Sequence, residues 1–371
     1  MNVPSLSGLN GDPALLAAER ALAELRRGRA IHVRDGRDGV LAAAVETIGE
    51  RMLDRLAAIA GERLVVVLSA SRALALAVDN PDGRAIAFAV GENVTLDALR
   101  AYAGVEGGTA KPALSARVAS TRAMDAAITA AKRAALLPAI LVVQRIGADG
   151  GDELVSVEAA DVERLARGSD VDLETVSRAR VPIETHEDCE VVLFRERRGS
   201  ADHLAIVIGA FDRAQPVLTR LHSSCLTGDL LGSLRCDCGS QLRGAIEAIG
   251  AAGGGVLLYL AQEGRGIGLA NKLRAYAIQD RGFDTIDADE QLGFESDERR
   301  YGVAAAMLRT LGIGRIELLT NNPEKVAALQ AAGIDVVARR PLRGGETRHN
   351  RRYLATKRDR AGHLLPKDEQ E

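Results

Sequence analysis

Apolar positions along this 371-residue chain recur with two periods, and the switching between them predicts the fold. Leu15, Ala18, Leu22 and Leu25 fall on one helical face within residues 12–29, with Asp12 as N-cap, Pro13 at the first helical position and Gly28 near the end. Short apolar runs at 63–68 and 85–90 predict buried strands. An Ala-rich helix is expected over 122–137, stopping at Pro138, then a strand over 139–143 and a helix over 159–167. In the second half, strands are expected at 191–194, 204–209, 256–260, 316–319 and 335–338. Asn322 caps a helix with Pro323 at its first position, and Gly333 ends it. This alternation predicts a mixed α/β protein with two domains, each a mixed sheet flanked by helices. Residues 168–183 have weak apolar periodicity, so the expected division is 1–168, a linker over 169–182, and 183–371.

Composition narrows the function. Apolar residues make up 47% and charged residues 27% of the chain, a globular balance, and no apolar run approaches the roughly 18 residues of a membrane span. A net charge of −3 argues against a nucleic-acid binder, and aromatic content of 3% without Trp removes stacking platforms for single strands. The segment MNVPSLSGLNGD has neither the basic region nor the apolar stretch of a secretory signal, so a cytoplasmic, reducing location and free or metal-bound thiols are expected. The basic run from Arg351 to Arg358 is read as a solvated face of the C-terminal helix.

Three of the four cysteines fall as Cys225-x10-Cys236-x-Cys238 within LHSSCLTGDLLGSLRCDCGS. Soft thiolates suit zinc, and three protein ligands leave a tetrahedral position for water, whose pKa zinc lowers to about 7. Spacing alone also fits buried apolar thiols, or a structural zinc completed by His222 or Cys189. The run QEGRGIG after a strand reads as an anion cradle or simply as a loop-shaping turn. Thr320 ends a strand and Lys325 lies in the next helix's first turn, where open α/β sheets collect ligands, although a surface lysine fits equally. Asp297 and Arg299 precede a helix, and capping by Asp297 is the simpler expectation. Together these features point to water-dependent cleavage of an anionic, nucleotide-sized substrate.

RLHSSCLTGD, SLRCDCG, QEGRGIGL, NKLRAYAIQD, QLGFESDERRY and LLTNNPEKV resemble, in order and spacing, the GTP cyclohydrolase II family over about residues 176–371. The resemblance implies hydrolysis of GTP to 2,5-diamino-6-(5-phospho-D-ribosylamino)pyrimidin-4(3H)-one, formate and pyrophosphate, the first step of riboflavin biosynthesis. It implies one zinc per chain on Cys225, Cys236 and Cys238, with Mg2+ accompanying GTP. Arg220, Leu221, His222, Ser223, Ser224 and Gln241 would line the GTP site. Glu263, Gly264, Arg265, Thr285, Thr320 and Lys325 would contact the nucleotide. Asp297 would accept a proton, Arg299 would be the nucleophile toward the α-phosphorus, and Tyr276 would support ring opening. A guanidinium with pKa above about 12 is a poor nucleophile, so a charge clamp is the competing role for Arg299. A homodimer is also implied, with no nucleic-acid or membrane partner.

The first half is similar, more weakly, to 3,4-dihydroxy-2-butanone 4-phosphate synthase. That family's acidic metal-binding run is replaced by AIHVRDGRDGVLAAAVET, and no histidine lies between His32 and His186. Catalytic silence of this half is expected, leaving dimerisation or support as its role. A bifunctional enzyme making both riboflavin precursors and a zinc-stabilised binding module are the alternatives. Cys189 and His186 are expected to be structural.

Overall fold

The computed structural model describes residues 12–80, 82–91, 93–105, 116–146, 153–167, 171–197, 201–342 and 344–364. The first eleven residues, on which the expectation of no secretory signal rests, and residues 168–170 of the expected boundary lie outside these. The chain divides into two compact units: residues 1–167 with 273–283 and 287–296, and residues 168–272 with 284–286 and 297–371.

In the first unit the order is α1 (Pro13–Arg26), β1 (Ile31–Asp35), β2 (Asp38–Ala44), α2 (Glu50–Ala60), β3 (Leu64–Leu68), α3 (Ala70–Ala75) and β4 (Ile86–Ala89). Then follow α4 (Leu96–Ala103), β5 (Arg117–Val118), α5 (Arg122–Arg133), β6 (Ala139–Ile146), β7 (Ser156–Glu158) and α6 (Ala159–Arg167). The sheet order is β5-β4-β3-β6-β2-β1-β7, antiparallel except for the β1–β7 pair. β3 is buried at every position, as its uninterrupted Leu-Val-Val-Val-Leu run requires of a central strand. Asp12 caps α1 by accepting from the Ala14 amide, and Leu15, Ala18, Ala21 and Leu25 are buried, with Leu22 partly buried against the same core. α5 stops at Arg133, short of 137, because Ala135 turns left-handed at φ 56° and Leu136 donates back to the Ala131 carbonyl.

This unit also takes in chain from the second half of the sequence. The buried Arg72 guanidinium donates to the carbonyls of Tyr102, Ala101 (2.9 Å) and Gln291, and Ser69 Oγ donates to Gly293 O at 2.6 Å. Arg274 pairs with Glu46 at 2.8 Å.

The second unit's elements, with the helices that thread from it, are β8 (Leu173–Arg180), β9 (Cys189–Glu196), β10 (Asp202–Gly209), β11 (Val217–Ser223), α7 (Cys238–Ala251), β12 (Gly254–Leu260) and α8 (Leu269–Gln279). They continue with α9 (Thr285–Gln291), α10 (Gly302–Thr310), β13 (Arg315–Leu319), α11 (Pro323–Ala331), β14 (Asp335–Arg340) and α12 (Arg351–Asp359). The sheet order is β14-β13-β11-β12-β10-β9-β8. The β14, β13, β11 and β12 neighbours run parallel, and β12-β10-β9-β8 antiparallel. β8 lies inside the stretch read as a linker; its exposed, polar residues gain their order from pairing with β9, a partner that periodicity does not register. One face packs Val192, Leu221, Val256, Met307 and Leu318, the other Ile208, Leu218, Ala245 and Leu257. Two mixed sheets flanked by helices are the mixed α/β class that the alternating pattern predicts.

Candidate metal centre

The parallel strands β11, β12 and β13 all end at one edge of the second unit's sheet, and the loops leaving them carry most of the residues singled out in the sequence. Ligands collect at such an edge because loops and helix N-termini converge there.

Arg220, Leu221, His222 and Ser223 close β11, and Ser224 follows with its amide bonded to Leu260 O at 2.8 Å. Leu221 points into the core. Arg220 donates to Leu319 O at 2.8 Å and to Gln241 Oε1 at 2.6 Å. His222 Nε2 bonds the Asp229 carboxylate at 3.0 Å and its ring stacks on Tyr259 at 5.5 Å. Burial outweighs Asp229 and holds His222 below its ordinary pKa, so the neutral ring donates from Nε2 and offers Nδ1 as an acceptor. Arg220 Nε, His222 Nδ1 and Ser223 Oγ are buried with no hydrogen-bond partner among the described residues. Three unpaired polar groups at one strand end are what a polar ligand would satisfy.

Cys225 lies two residues past the end of β11, and Cys236 and Cys238 lie where the chain turns into α7. The three Sγ atoms are within 4.8 Å of one another, and Cys225 and Cys236 are 3.8 Å apart. That is the edge of a tetrahedron with metal–sulfur bonds of about 2.3 Å. Gly228 makes the closeness possible: a Cβ there would lie 2.8 Å from Cys236 Sγ and 3.0 Å from Cys225 Sγ. The donors thus fit a soft divalent ion. Hydrogen bonds from Cys236 and Cys238 pull the Cys225 thiol down, and the same bonds push Cys236 up and Cys238 well up. Three such thiols ionise together only beside a cation. Lys272 Nζ donates to Cys225 Sγ at 3.0 Å and to Glu263 Oε1 at 2.8 Å, while Glu263 Oε2 accepts from the Leu226 amide. Among the described residues neither His222 nor Cys189 joins the thiol group. Cys189 lies in the core beside Ile208 and Leu218, and the His186 ring fills the space left by Gly250's missing side chain.

The loop after β12 holds Gly264 and Arg265 both left-handed, at φ 63° and 60°. Such a conformation in Arg265 is a local strain held by its surroundings. Gly266 approaches the next part of the site so closely that a Cβ would sit 2.7 Å from the Glu298 carbonyl. There, Asp297 accepts from the Arg299 amide at 3.0 Å, from Arg299 Nε at 2.8 Å and from a terminal guanidinium nitrogen. Asp297 is therefore not a helix cap; α10 begins at Gly302, and the carboxylate is consumed by its arginine. Burial alone would raise the Asp297 pKa, but Arg299 brings it below the usual carboxylate value, and Asp297 in turn drives the guanidinium above its own.

Thr320 is buried and its hydroxyl accepts from the Asn322 amide. Lys325 is not a surface lysine: it is 6% exposed, donates to Leu221 O at 2.9 Å, and lies 5.8 Å from the Tyr301 ring centre. Burial, with Arg220 and Arg299 nearby, pushes its pKa well down. Thr285 opens α9; Tyr276 lies on α8, in the segment that belongs to the first unit.

A GTP cyclohydrolase-2 from Azospirillum brasilense is 43% identical to this chain over 367 residues, covering 95% of each. The chain belongs to the GTP cyclohydrolase II family. The family model, described as GTP cyclohydrolase II, matches residues 174–341. A second GTP cyclohydrolase-2, from Xylella fastidiosa, is 42% identical over 365 residues, 96% of this chain and 89% of its own. The shorter GTP cyclohydrolase-2 of Azotobacter vinelandii is 58% identical over 172 residues, which are 46% of this chain and 83% of the relative. A solved two-domain 3,4-dihydroxy-2-butanone 4-phosphate synthase from A. baumannii covers 88% of this chain at 18% identity with a TM-score of 0.32, too slight a likeness to carry weight.

In this cyclohydrolase several functional neighbours had no assignment from sequence. Asp229 binds His222, the Cys225 amide and the Tyr259 hydroxyl, and its only signal was its place in LTGD. His203 accepts the Ala261 amide at Nδ1 (3.0 Å), so it donates from Nε2 to Glu196 (3.0 Å). Glu196 also pairs with Arg300 at 3.5 Å. That buried chain ties the loop after β12 to the segment carrying Arg299. Lys357, inside the basic run read as solvated, turns inward to Asp237.

Proposed function

We propose that this chain hydrolyses GTP to the diaminopyrimidine ribosyl phosphate, formate and pyrophosphate, opening riboflavin biosynthesis, with one zinc ion on Cys225, Cys236 and Cys238. The carrying observation is the buried cation group beside the thiols. Arg220 and Arg299 lie near the buried Lys325, whose pKa is pushed down by burial first and then by these two charges, and the negative charge of a triphosphate offsets their repulsion. Arg220 Nε, His222 Nδ1 and Ser223 Oγ supply unused donors and an acceptor for a polar ligand. When bound, zinc supplies an activated water for opening the imidazole ring. Gln241 orients Arg220, Glu263 and Lys272 orient the Cys225 loop, and Gly264 and Arg265 shape the turn facing the nucleotide. Arg299, gripped by Asp297, serves as a charge clamp on the phosphoryl group rather than as a nucleophile. Thr285, Thr320, Ser224 and Tyr276 keep the roles the resemblance implies, while Leu221, its side chain in the core, serves the site through the carbonyl that accepts from Lys325. Mg2+ with GTP, a homodimer and a cytoplasmic location belong to the same reading; among the described residues no helix is long and apolar enough to cross a membrane.

The first half is proposed to be catalytically silent, with support as its role. Three of its carboxylates are already matched by arginines, Glu163 and Asp35 by Arg122 and Glu158 by Arg34, and no histidine lies between residues 32 and 186. The test is incubation of purified protein with GTP, assaying formate and pyrophosphate and measuring zinc on the same sample. Absence of formate at saturating zinc and magnesium would overturn the reading, and turnover of ribulose 5-phosphate would overturn the silence of the first half.

A further inference from the structure

The segment from Leu342 to Leu364 lies beyond the residues that the family model matches, yet its described residues are fastened across the second unit at several points. Thr347 Oγ1 donates to Leu234 O at 2.9 Å, in the loop between Cys225 and Cys236, and the Gly345 amide donates to Ser240 Oγ at 2.9 Å on α7. Asn350, fully buried, donates to Gly345 O, and the Leu364 amide reaches Asn321 O at 2.8 Å after β13. A Cβ on Gly344 would stand 2.9 Å from Asp237 Cβ. Surface tails do not pack this way.

The point of this fastening is Asp237, the residue between Cys236 and Cys238. Its side chain is 2% exposed, and one oxygen accepts from Lys357 Nζ at 2.8 Å while the other accepts from Gln241 Nε2. Gln241 Oε1 in turn receives Arg220 at 2.6 Å. Lys357 is held against the Tyr353 ring at 4.3 Å and is 15% exposed. A continuous chain of charge-assisted bonds thus runs from α12 through the turn between two thiols to the strand-end arginine.

We propose that the C-terminal segment is part of the catalytic centre and that Lys357 is its positioning residue, fixing Asp237 and through it both the thiol turn and Arg220. Removing the cation strands a buried carboxylate in that turn, which then relaxes. Outer groups that orient metal ligands are worth about 10–100-fold in metal affinity. The inference deepens the proposed zinc-dependent reading and rests on it.

The test uses the full-length protein with Lys357→Met, Lys357→Arg and Asp237→Asn. Zinc affinity is measured by competition with a chromophoric chelator, and the visible spectrum is recorded after cobalt substitution; folding is checked by circular dichroism. Lys357→Met is expected to weaken zinc about 10–100-fold and alter the cobalt bands. Lys357→Arg should recover most of the affinity, and Lys357→Met should have a much smaller effect when added to Asp237→Asn. Zinc affinity within twofold of the parent with an unchanged cobalt spectrum overturns the proposal, as does an undiminished effect in the Asp237→Asn background. A misfolded Lys357→Met leaves Asp237→Asn and Lys357→Arg to decide by the same readouts: unchanged affinity in Asp237→Asn overturns it. Should the parent release no formate from GTP, the function falls, while the zinc and cobalt measurements still judge this inference.

Discussion

The carboxylate of Asp297 holds Arg299 by three hydrogen bonds, from its amide, its Nε and a terminal nitrogen. A guanidinium stabilised this way is further from losing a proton than a free one, so it acts through charge. Arg299→Met should lower kcat by about 10²–10³-fold, the scale of one lost charge-stabilising donor, and Arg299→Lys by less. Rapid quenching with α-labelled GTP should leave no label on the Arg299 peptide; a labelled peptide would sink the clamp. Asp297 is held below the carboxylate value, so its contribution is present above about pH 3.9 and fades only as pH falls below it. No limb of the kcat/KM profile between pH 5 and 9 should therefore disappear in Asp297→Asn.

Gly228 sits against the thiols, and a methyl group there meets Cys236 Sγ at 2.8 Å, Cys238 Cβ at 2.9 Å and Cys225 Sγ at 3.0 Å. Overpacking of this kind costs about 1–3 kcal/mol, which is roughly 5–150-fold in affinity if it falls on the metal-bound state. Gly228→Ala should bind zinc correspondingly more weakly by chelator competition, with far-ultraviolet dichroism unchanged. Affinity equal to the parent would show that the loop carrying Gly228 moves aside freely.

These two sites differ in how far the chain announces them. The three cysteines, the glycine turn and the Asn322-Pro323 cap are local, so short spacing reveals them, and β3 and β12 are legible because burial on both faces demands unbroken apolar runs. Spacing alone lets Lys325 pass for a surface lysine, because nothing near it in sequence reports that Leu221 O, 104 residues away, will accept its hydrogen bond. The Lys357–Asp237 pair spans 120 residues and is hidden in a run of like charges. Strand β8 is equally silent, since a polar strand gains its order from a neighbour's backbone and not from its own side chains.

Arg72 is a buried cation satisfied by carbonyls alone, those of Ala101, Tyr102 and Gln291. Burial draws its pKa down to about 10, still charged at neutral pH. Arg72→Met strands these acceptors in the first unit and releases the 287–296 segment from one of its ties. A loss of roughly 3 kcal/mol or more is expected, from three acceptors left unsatisfied at about 1–3 kcal/mol each. Urea unfolding should show a lower midpoint; a midpoint within error of the parent would mean that water replaces the guanidinium.

His32 lies fully buried on β1, with Nδ1 3.2 Å from Ser156 Oγ and Nε2 without a partner among the described residues. Burial lowers its pKa, Arg34 lowers it further, and Glu158 only partly opposes them. The unfolded chain then takes up a proton near pH 6.5 that the folded chain refuses, so stability is complete above that pH and declines as pH falls below it. The slope from this one group is at most about 1.4 kcal/mol per pH unit. Denaturant midpoints should drop between pH 7 and pH 5, and the drop should be smaller in His32→Leu, whose side chain carries no proton to refuse. Parallel pH profiles for the two proteins would place the acid sensitivity elsewhere in the chain.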